Sequence, residues 1–430
     1  MKKITFLAKS IFFAAVLLGV SNIQAQVEFK LQTEMFTRFS DVNDNGQGIT
    51  MGQYYDFATN VLTNMEPEAT GLSSINNNGD VSGMMYYDEP NGLMQPAVKK
   101  NGTWTPIGWF PASNPEDSSF TTYGISPNGK YVTGQMSIGC CDFGTFLYNT
   151  ETAELFDIFD PEGEALAGYT VTNDGIIGGW LDQPDGGGTL RVPAYFNKEG
   201  EITLIPTGQL PMIGVNAISD INSSNEMVGD FDGKPFIYDL DTDTFTSFDT
   251  PTGNGGAFAS ISDNGVAVGY EDVDFQVRDA IIYHPSLGDQ PLFLKDVLAD
   301  NGVTVNTVDG LLGTAIAVSP NGKYIAGWVN GPPPFAEGWM VYLDDLILGT
   351  NTVSQNEISF YPNPVTDIMH INSKETIDSV AVYTTTGQRV SNTTSSNNNT
   401  QLDISNLASG VYLVKVSSNS GVENLKVVKQ

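Results

Sequence analysis

The sequence predicts an all-β fold made of repeated four-stranded units, and three observations predict it. A glycine-closed turn motif recurs seven times, a second aromatic-entered hairpin follows most copies, and successive copies begin 33 to 57 residues apart. The clearest copies of the motif are 75–83 (INNNGDVSG), 125–134 (ISPNGKYVTG), 171–179 (VTNDGIIGG), 261–269 (ISDNGVAVG) and 318–327 (VSPNGKYIAG). Two looser copies are 42–52 (VNDNGQGITMG), with two extra residues before its closing Gly52, and 221–229 (INSSNEMVG), with Asn225 where the others carry glycine. Asparagine is the non-glycine residue that best tolerates the left-handed backbone a tight turn demands, so the exchange keeps the turn.

The second hairpins are TFLYNTETAELF from Thr145, AYFNKEGEITLI from Ala194, PFIYDLDTDTFTSF from Pro235 and AIIYHPSLGDQPLFL from Ala280. Two hairpins make one four-stranded unit, and successive motifs begin 33 to 57 residues apart. That spacing brackets the roughly 40 to 50 residues of a propeller blade, so residues 26–346 read as a β-propeller of seven blades, with six as the alternative. The strand at 27–31 is placed to complete the last unit after Trp339–Tyr342, which hides sheet edges that invite aggregation.

The ends of the chain carry addresses. Lys2, Lys3 and Lys9 precede an apolar run over 11–20, and Ile23-Gln24-Ala25 offers a small-residue cleavage site, so 1–25 reads as a signal peptide. No stretch has the roughly 20 apolar residues of a membrane-spanning helix. After a linker at 347–357, residues 358–430 alternate short apolar runs with Gly, Asn and Ser clusters, the pattern of a small Ig-like β-sandwich. This segment resembles the type A C-terminal sorting domain of type IX secretion substrates of Bacteroidetes. The matching residues are Tyr361-Pro362-Asn363-Pro364, Gly387-Gln388, Gly410-Val411-Tyr412 and the basic end from Lys426 through Lys429 to Gln430. The resemblance implies the type IX machinery as a partner, a secreted or cell-surface destination, and removal of the domain by cleavage in the linker. The turn motif itself resembles the extracellular HAF-type repeat, which implies architecture only.

Charge excludes some functions. The chain carries a formal net charge of −31, and residues 26–356 hold 44 acids against 11 bases. A field of that sign repels phosphate backbones and anionic lipid, so nucleic-acid and membrane-surface roles are poor fits. It suits a solvated secreted surface.

Catalytic motifs are sparse. The two histidines, His284 in a predicted hairpin and His370 in the sorting segment, do not form a Ser-His-Asp arrangement, and no HExxH, CxxC or phosphate loop occurs. Cys140 and Cys141 are adjacent, so an intramolecular bridge between them is a strained vicinal disulfide, read here as a loop staple. Asp41, Asn43 and Asn45 open a loop of calcium-binding pattern, but position twelve is Gly52 where a glutamate belongs, so the segment reads as a turn; calcium is the only cofactor the pattern admits. Trp180, Tyr270 and Trp328 each follow a closing glycine and occupy equivalent places; with Trp104, Trp109 and Phe110 they are the candidate ligand-binding rings, able to stack on sugar faces if exposed. The expected function is non-catalytic glycan or protein binding and adhesion, with a carboxylate-based polysaccharide hydrolase or lyase as the alternative.

Overall fold

In the computed structural model, the described residues are 27–343 and 359–430, apart from 34–36, 109–118, 140–141, 185–188, 275, 331–335, 385–388 and 419–420. Within the first span lie seven four-stranded antiparallel sheets, six of them meanders in chain order and the seventh completed by the N-terminal strand. They cover residues 39–64, 69–106, 119–158, 166–204, 217–247, 256–293 and 314–343, and are numbered sheets 1 to 7. The fourth strand of sheet 7 is Val27–Gln32, which pairs antiparallel with Ala336–Leu343 in the register Leu31 to Trp339 and Glu28 to Tyr342. Each sheet packs on the next, and the first two strands of sheet 7 pack on the first strand of sheet 1.

The recurring motif is the turn between the first two strands of each sheet. In all seven, the amide of the fourth residue donates to the carbonyl of the first, as in Gly129 to Ser126 at 2.8 Å and Asn225 to Asn222 at 3.2 Å. The fourth residue alone takes positive φ, from 69° at Gly46 to 86° at Gly175 and Gly265, with Asn225 at 60°. This is a type I turn followed by a left-handed residue, one of the common longer hairpin loops. The side chain of the first residue caps the turn: Asn43 Oδ1 accepts from the amides of Asn45 and Gln47, and Ser126 Oγ accepts from Tyr131.

A second feature also recurs seven times. Each innermost strand carries a one-residue bulge, between Phe39 and Asp41, Leu72 and Ser74, Thr122 and Gly124, Gly168 and Thr170, Ile218 and Asp220, Phe258 and Ser260, and Ala315 and Ala317. A β-carbon on the closing glycine opposite would overlap a carbonyl of that strand: Gly134 meets Thr121 O, Gly179 Ala167 O, Gly229 Ala217 O and Gly269 Ala257 O. In sheet 1 the position is held by Thr50, paired with Phe39, and Gly52 has nothing within 4 Å of a built β-carbon. The closing residue of that copy is therefore Thr50, and the two extra residues fall in the next hairpin.

The chain departs from all-β expectation at 294–300. Instead of a long outer strand, sheet 6 ends at Leu292–Phe293 and a short helix, Leu294–Asp300, buries Leu294, Val297 and Leu298 against Leu312, Val266 and Trp339. Lys295 reaches the fully buried Asp279 at 2.6 Å, and Asp279 Oδ1 accepts from the Leu312 amide at 2.9 Å. The apolar spacing of LKDVLAD satisfies a helix face as readily as a strand run, and only the pocket between sheets 6 and 7 decides between them.

In the second span, strands Ser359–Tyr361, Ile368–Thr384, Arg389–Asp403, Gly410–Ser418 and Gly421–Lys429 join one sheet. Its core includes Val365, Met369, Ile371, Val380, Val382, Val414, Val416 and Val427.

Gly269→Ala should destabilise by about 3 kcal/mol or more, since overpacking against backbone has no flexible neighbour to yield. Gly52→Ala should leave the melting temperature within about 1 °C. Equal effects in calorimetry would mean that the bulge does not require glycine.

Candidate functional site

The seven bulges surround a channel of about 210 Å³. It is lined by the same three consecutive positions of every innermost strand, from Ser40, Asp41 and Val42 in sheet 1 to Ile316, Ala317 and Val318 in sheet 7. The third position is Val or Ile in all seven; the first two carry Ser, Thr, Asp or Tyr in sheets 1 to 6, with Gly124 and Ala259 among them, and are apolar, Ile316 and Ala317, in sheet 7, so a largely polar layer adjoins an apolar one.

Two carboxylates stand in the polar layer. Asp41 Oδ2 accepts from Ser74 Oγ at 2.6 Å and from the Ile75 amide at 2.8 Å, both in sheet 2, and its Oδ1 accepts from its neighbour Val42. Asp220 repeats this toward sheet 6, accepting from Ser260 Oγ at 2.7 Å and the Ile261 amide at 3.0 Å on Oδ2, and from Ile221 and Thr170 on Oδ1. Burial lifts the Asp41 carboxyl to about 6 against the pull of its hydrogen bonds, and the Asp220 charge pushes the same way. Asp220 is likewise raised by burial. Both carboxylates tie neighbouring sheets together.

At one end of the channel, the turns are laced across sheet boundaries. Asn43 Nδ2 donates to Asn76 O at 3.0 Å, Asn128 N to Asn173 Oδ1 at 2.9 Å, and Asp263 N to Pro320 O at 2.8 Å. Asn321 N donates to Asp44 Oδ1 at 2.8 Å, joining sheet 7 to sheet 1. Asp41, Asn43 and Asn45, the calcium candidates, are thus turn and inter-sheet partners: Asn45 Nδ2 donates to Asn77 O at 3.1 Å. Among the described residues, no group of three or more His, Cys, Asp or Glu is arranged to hold a metal.

The opposite end carries the hairpins between second and third strands and the sheet-to-sheet connections. Here the three equivalent rings each lie under an arginine. Arg191 Cζ is 3.5 Å from the Trp180 ring centroid, Arg278 is 3.6 Å from Tyr270, and Arg38 is 4.4 Å from Trp328. The residues at 38, 191 and 278 are all the arginines between 26 and 346. Trp180 also donates Nε1–H to Tyr169 Oη at 2.9 Å. The guanidinium groups cover ring faces that sugar stacking would need, so these positions offer N–H groups in place of aromatic faces. Arg278 also pairs with Asp272 at 2.9 Å and Arg191 with Asp182 at 3.9 Å. Burial pushes the Tyr270 hydroxyl up to about 12, with Arg278 opposing and Asp230 adding to the rise.

The equivalent place in sheet 5 is Asp230, which anchors the connection before its first strand. Its carboxylate accepts from the amides of Val215 at 2.9 Å and Asn216 at 3.0 Å, while Asp232 Oδ1 accepts from Met212 at 2.8 Å. The loop so held shows Met212 and Ile213 to solvent, 86% and 64% exposed. Met51, Tyr86, Tyr87, Met94, Phe143 and Val277 are further exposed apolar side chains on this face.

The remaining candidates fall elsewhere. Trp104 is buried on an outer strand and donates Nε1–H to Glu66 Oε2 at 3.1 Å, so it is a packing residue rather than a loop platform. Burial works to raise Glu66, but Lys99 at 2.5 Å, Trp104 and Tyr54 hold it at about 2. Trp109, Phe110, Cys140, Cys141 and Gly387 lie outside the described residues. His284 is pinned between Ser286 Oγ at 2.7 Å and Asn264 O at 3.1 Å and held below its ordinary pKa by burial. In the tail, Tyr361 stacks on His370 at 5.3 Å, Asn363 Oδ1 accepts from the Val428 amide at 2.9 Å, and Tyr412 Oη donates to Ala408 O at 2.9 Å. Val365 exchanges backbone bonds with Val428 and Gln430, so the Tyr361–Pro364 segment and the end at Lys429 adjoin. Neither the arginine stacks nor the carboxylate anchors were anticipated; the only trace in the sequence is the Trp-x-Asp and Tyr-x-Asp spacing at 180–182 and 270–272.

Asp41 sets a pH dependence. Its folded pKa lies above the ordinary 3.8, so its stabilising contribution is complete below about pH 4 and is lost as pH rises through about 6. Asp41→Asn removes that titration but also sacrifices acceptor capacity, so the variant should be less stable than wild type at pH 4. The gap should narrow by pH 7, by about 1 to 3 kcal/mol in denaturant melts. A constant gap would show an unshifted carboxyl.

No curated protein sequence matches the chain. Among solved structures it resembles PorZ, a surface component of the type IX secretion system of Porphyromonas gingivalis, with 14% identity and a TM-score of 0.43 over 89% of this chain and 56% of that one. It also resembles the extracellular domain of BT4673 from Bacteroides thetaiotaomicron, with 10% identity and a TM-score of 0.41 over 93% and 59%, and a streptogramin B lyase, with 12% identity and a TM-score of 0.41 over 74% and 98%. The chain thus spans under two thirds of the first of these. Residues 359–430 match the secretion system C-terminal sorting domain family, which supports secretion by the type IX system to the cell surface or the medium.

Proposed function

We propose that the seven sheets are the seven blades of a closed β-propeller that binds a glycan or protein partner without catalysis. The HAF-type likeness of the turns and the strand partnership of Val27–Gln32 support that architecture. Residues 1–25 serve as the signal peptide, 347–357 as the linker, and the tail strands fold as an Ig-like sandwich. The sandwich is supported by Ile368–Thr384, which shifts register between Asn372 and Ile377 as it takes Gly410–Ser418 as partner.

The observation that carries the binding reading is the asymmetry of the two ends. One end is a laced belt of polar turns, while the other holds the three arginine-covered rings beside exposed Met212, Ile213 and Tyr87. Exposed apolar side chains on a loop held by four amide-to-carboxylate bonds favour recognition, because little ordering remains to be done on binding. In the polar layer of the channel a hydrolase or lyase would draw on Asp41 and Asp220, whose acceptor sites are largely taken by backbone and hydroxyl donors.

Arg191→Ala with Arg278→Ala should weaken binding to the recognised partner about tenfold or more, as measured by interferometry over glycan and surface-protein panels. Unchanged affinity would move the contact to another face. Deleting 359–430 should leave the protein in the periplasm on fractionation; export of the truncated chain would overturn the assignment of the tail as its address.

A further inference from the structure

We infer that the axial channel is itself a ligand site for a polyhydroxylated molecule, the terminal sugar of a glycan being the class it fits. This rests on the binding-module reading and specifies where and what it binds.

The volume sets the first limit. A space of about 210 Å³ holds about seven waters at roughly 30 Å³ each, room for one small ring and too little for a polymer segment. Drug-sized ligands occupy roughly 300–1,000 Å³.

Charge sets the second. No Lys, Arg or His lines the channel, and Asp41, Asp220 and Asp263 do, so an anionic ligand is repelled. An inorganic cation finds no acidic cage, since no group of three or more His, Cys, Asp or Glu side chains is arranged to hold one among the described residues. A neutral polyol donates to carboxylates and exchanges hydrogen bonds with hydroxyls, and the polar layer offers both. Asp41 Oδ1 accepts one bond, from Val42, and keeps a second acceptor direction. Ser40, Ser73 and Ser219 stand at bulge positions among the channel residues.

Shape sets the third. Tyr123 and Tyr169, at the bulges of sheets 3 and 4, meet edge to face with centroids 5.2 Å apart, giving the channel an aromatic wall. The carboxylates are fixed by bonds from the next sheet, so the polar groups need no rearrangement to receive a ring.

The test is calorimetry and saturation-transfer NMR on the full chain, with the methyl glycosides of glucose, galactose, mannose and N-acetylglucosamine as probes and calcium chloride and ethylammonium as cation controls. Ser219→Trp fills the channel from a bulge position, and Ala259→Trp does so from the next sheet should the first variant fail to fold. At least one glycoside should saturate the wild type and lose at least tenfold in affinity in the filled variant, while Asp174→Ala, on the belt, leaves it unchanged. A glycoside bound equally by wild type and filled variant would overturn the channel site and leave the binding module standing. Binding of a cation alone, or of no glycoside at millimolar concentration, would also overturn it, and the arginine variants would then decide the wider reading independently.

Discussion

The architecture depends on a bulge repeated in every innermost strand, and in six of the seven sheets it presses a carbonyl into the space where the facing residue would carry a β-carbon, while sheet 1 places Thr50 there. Glycine at 134, 179, 229 and 269 leaves that space open. A bulge increases local twist and re-aims the side chains beside it, and more strongly twisted sheets stack around an axis rather than lie flat. The same displacement turns Ser40, Tyr123, Tyr169 and Ser219 toward the axis, so the channel and the fold have one origin.

Carboxylates hold the sheets and connections in register. Asp41 and Asp220 reach across sheet boundaries, Asp230 and Asp232 hold the connection at 212–216, and Glu271 accepts from the amides of Thr252 and Asn254 and from the Thr252 hydroxyl. Hydrogen bonds with one ionised partner are about twice as strong as neutral ones, and a carboxylate can satisfy several orphan amides together. A minority of the acids are therefore internal architecture, Asp80, Asp230, Glu271 and Asp279 being buried among the described residues. Burial exacts a cost, visible in the raised pKa of Asp41, Asp220 and Asp230.

The arginines show the complementary economy. Each sits over a ring at the same position of a different sheet. Sheet 5 replaces the ring with Asp230, which senses the charge of Arg191 and in turn affects Tyr270. Sheets 4, 5 and 6 therefore share one electrostatic neighbourhood beside the exposed Met212 loop, on the end of the molecule away from the polar belt.

The sequence by itself determined the repeat, its turns and the sorting tail, because each rests on local chemistry, and it marked 27–31 as a strand whose partner lies far along the chain, at Ala336–Leu343. A left-handed residue must be Gly or Asn, as Asn225 is, and alternation of apolar residues specifies a strand wherever it occurs. Tertiary structure alone decided what depends on neighbours distant in the chain. It assigned the closing position of the first copy to Thr50 rather than Gly52, made LKDVLAD helical against sheets 6 and 7, and buried Trp104 on Glu66. It also laid Arg38 on Trp328 across 290 residues of chain, because stacking and burial are set by which surfaces meet, and no local pattern encodes that meeting.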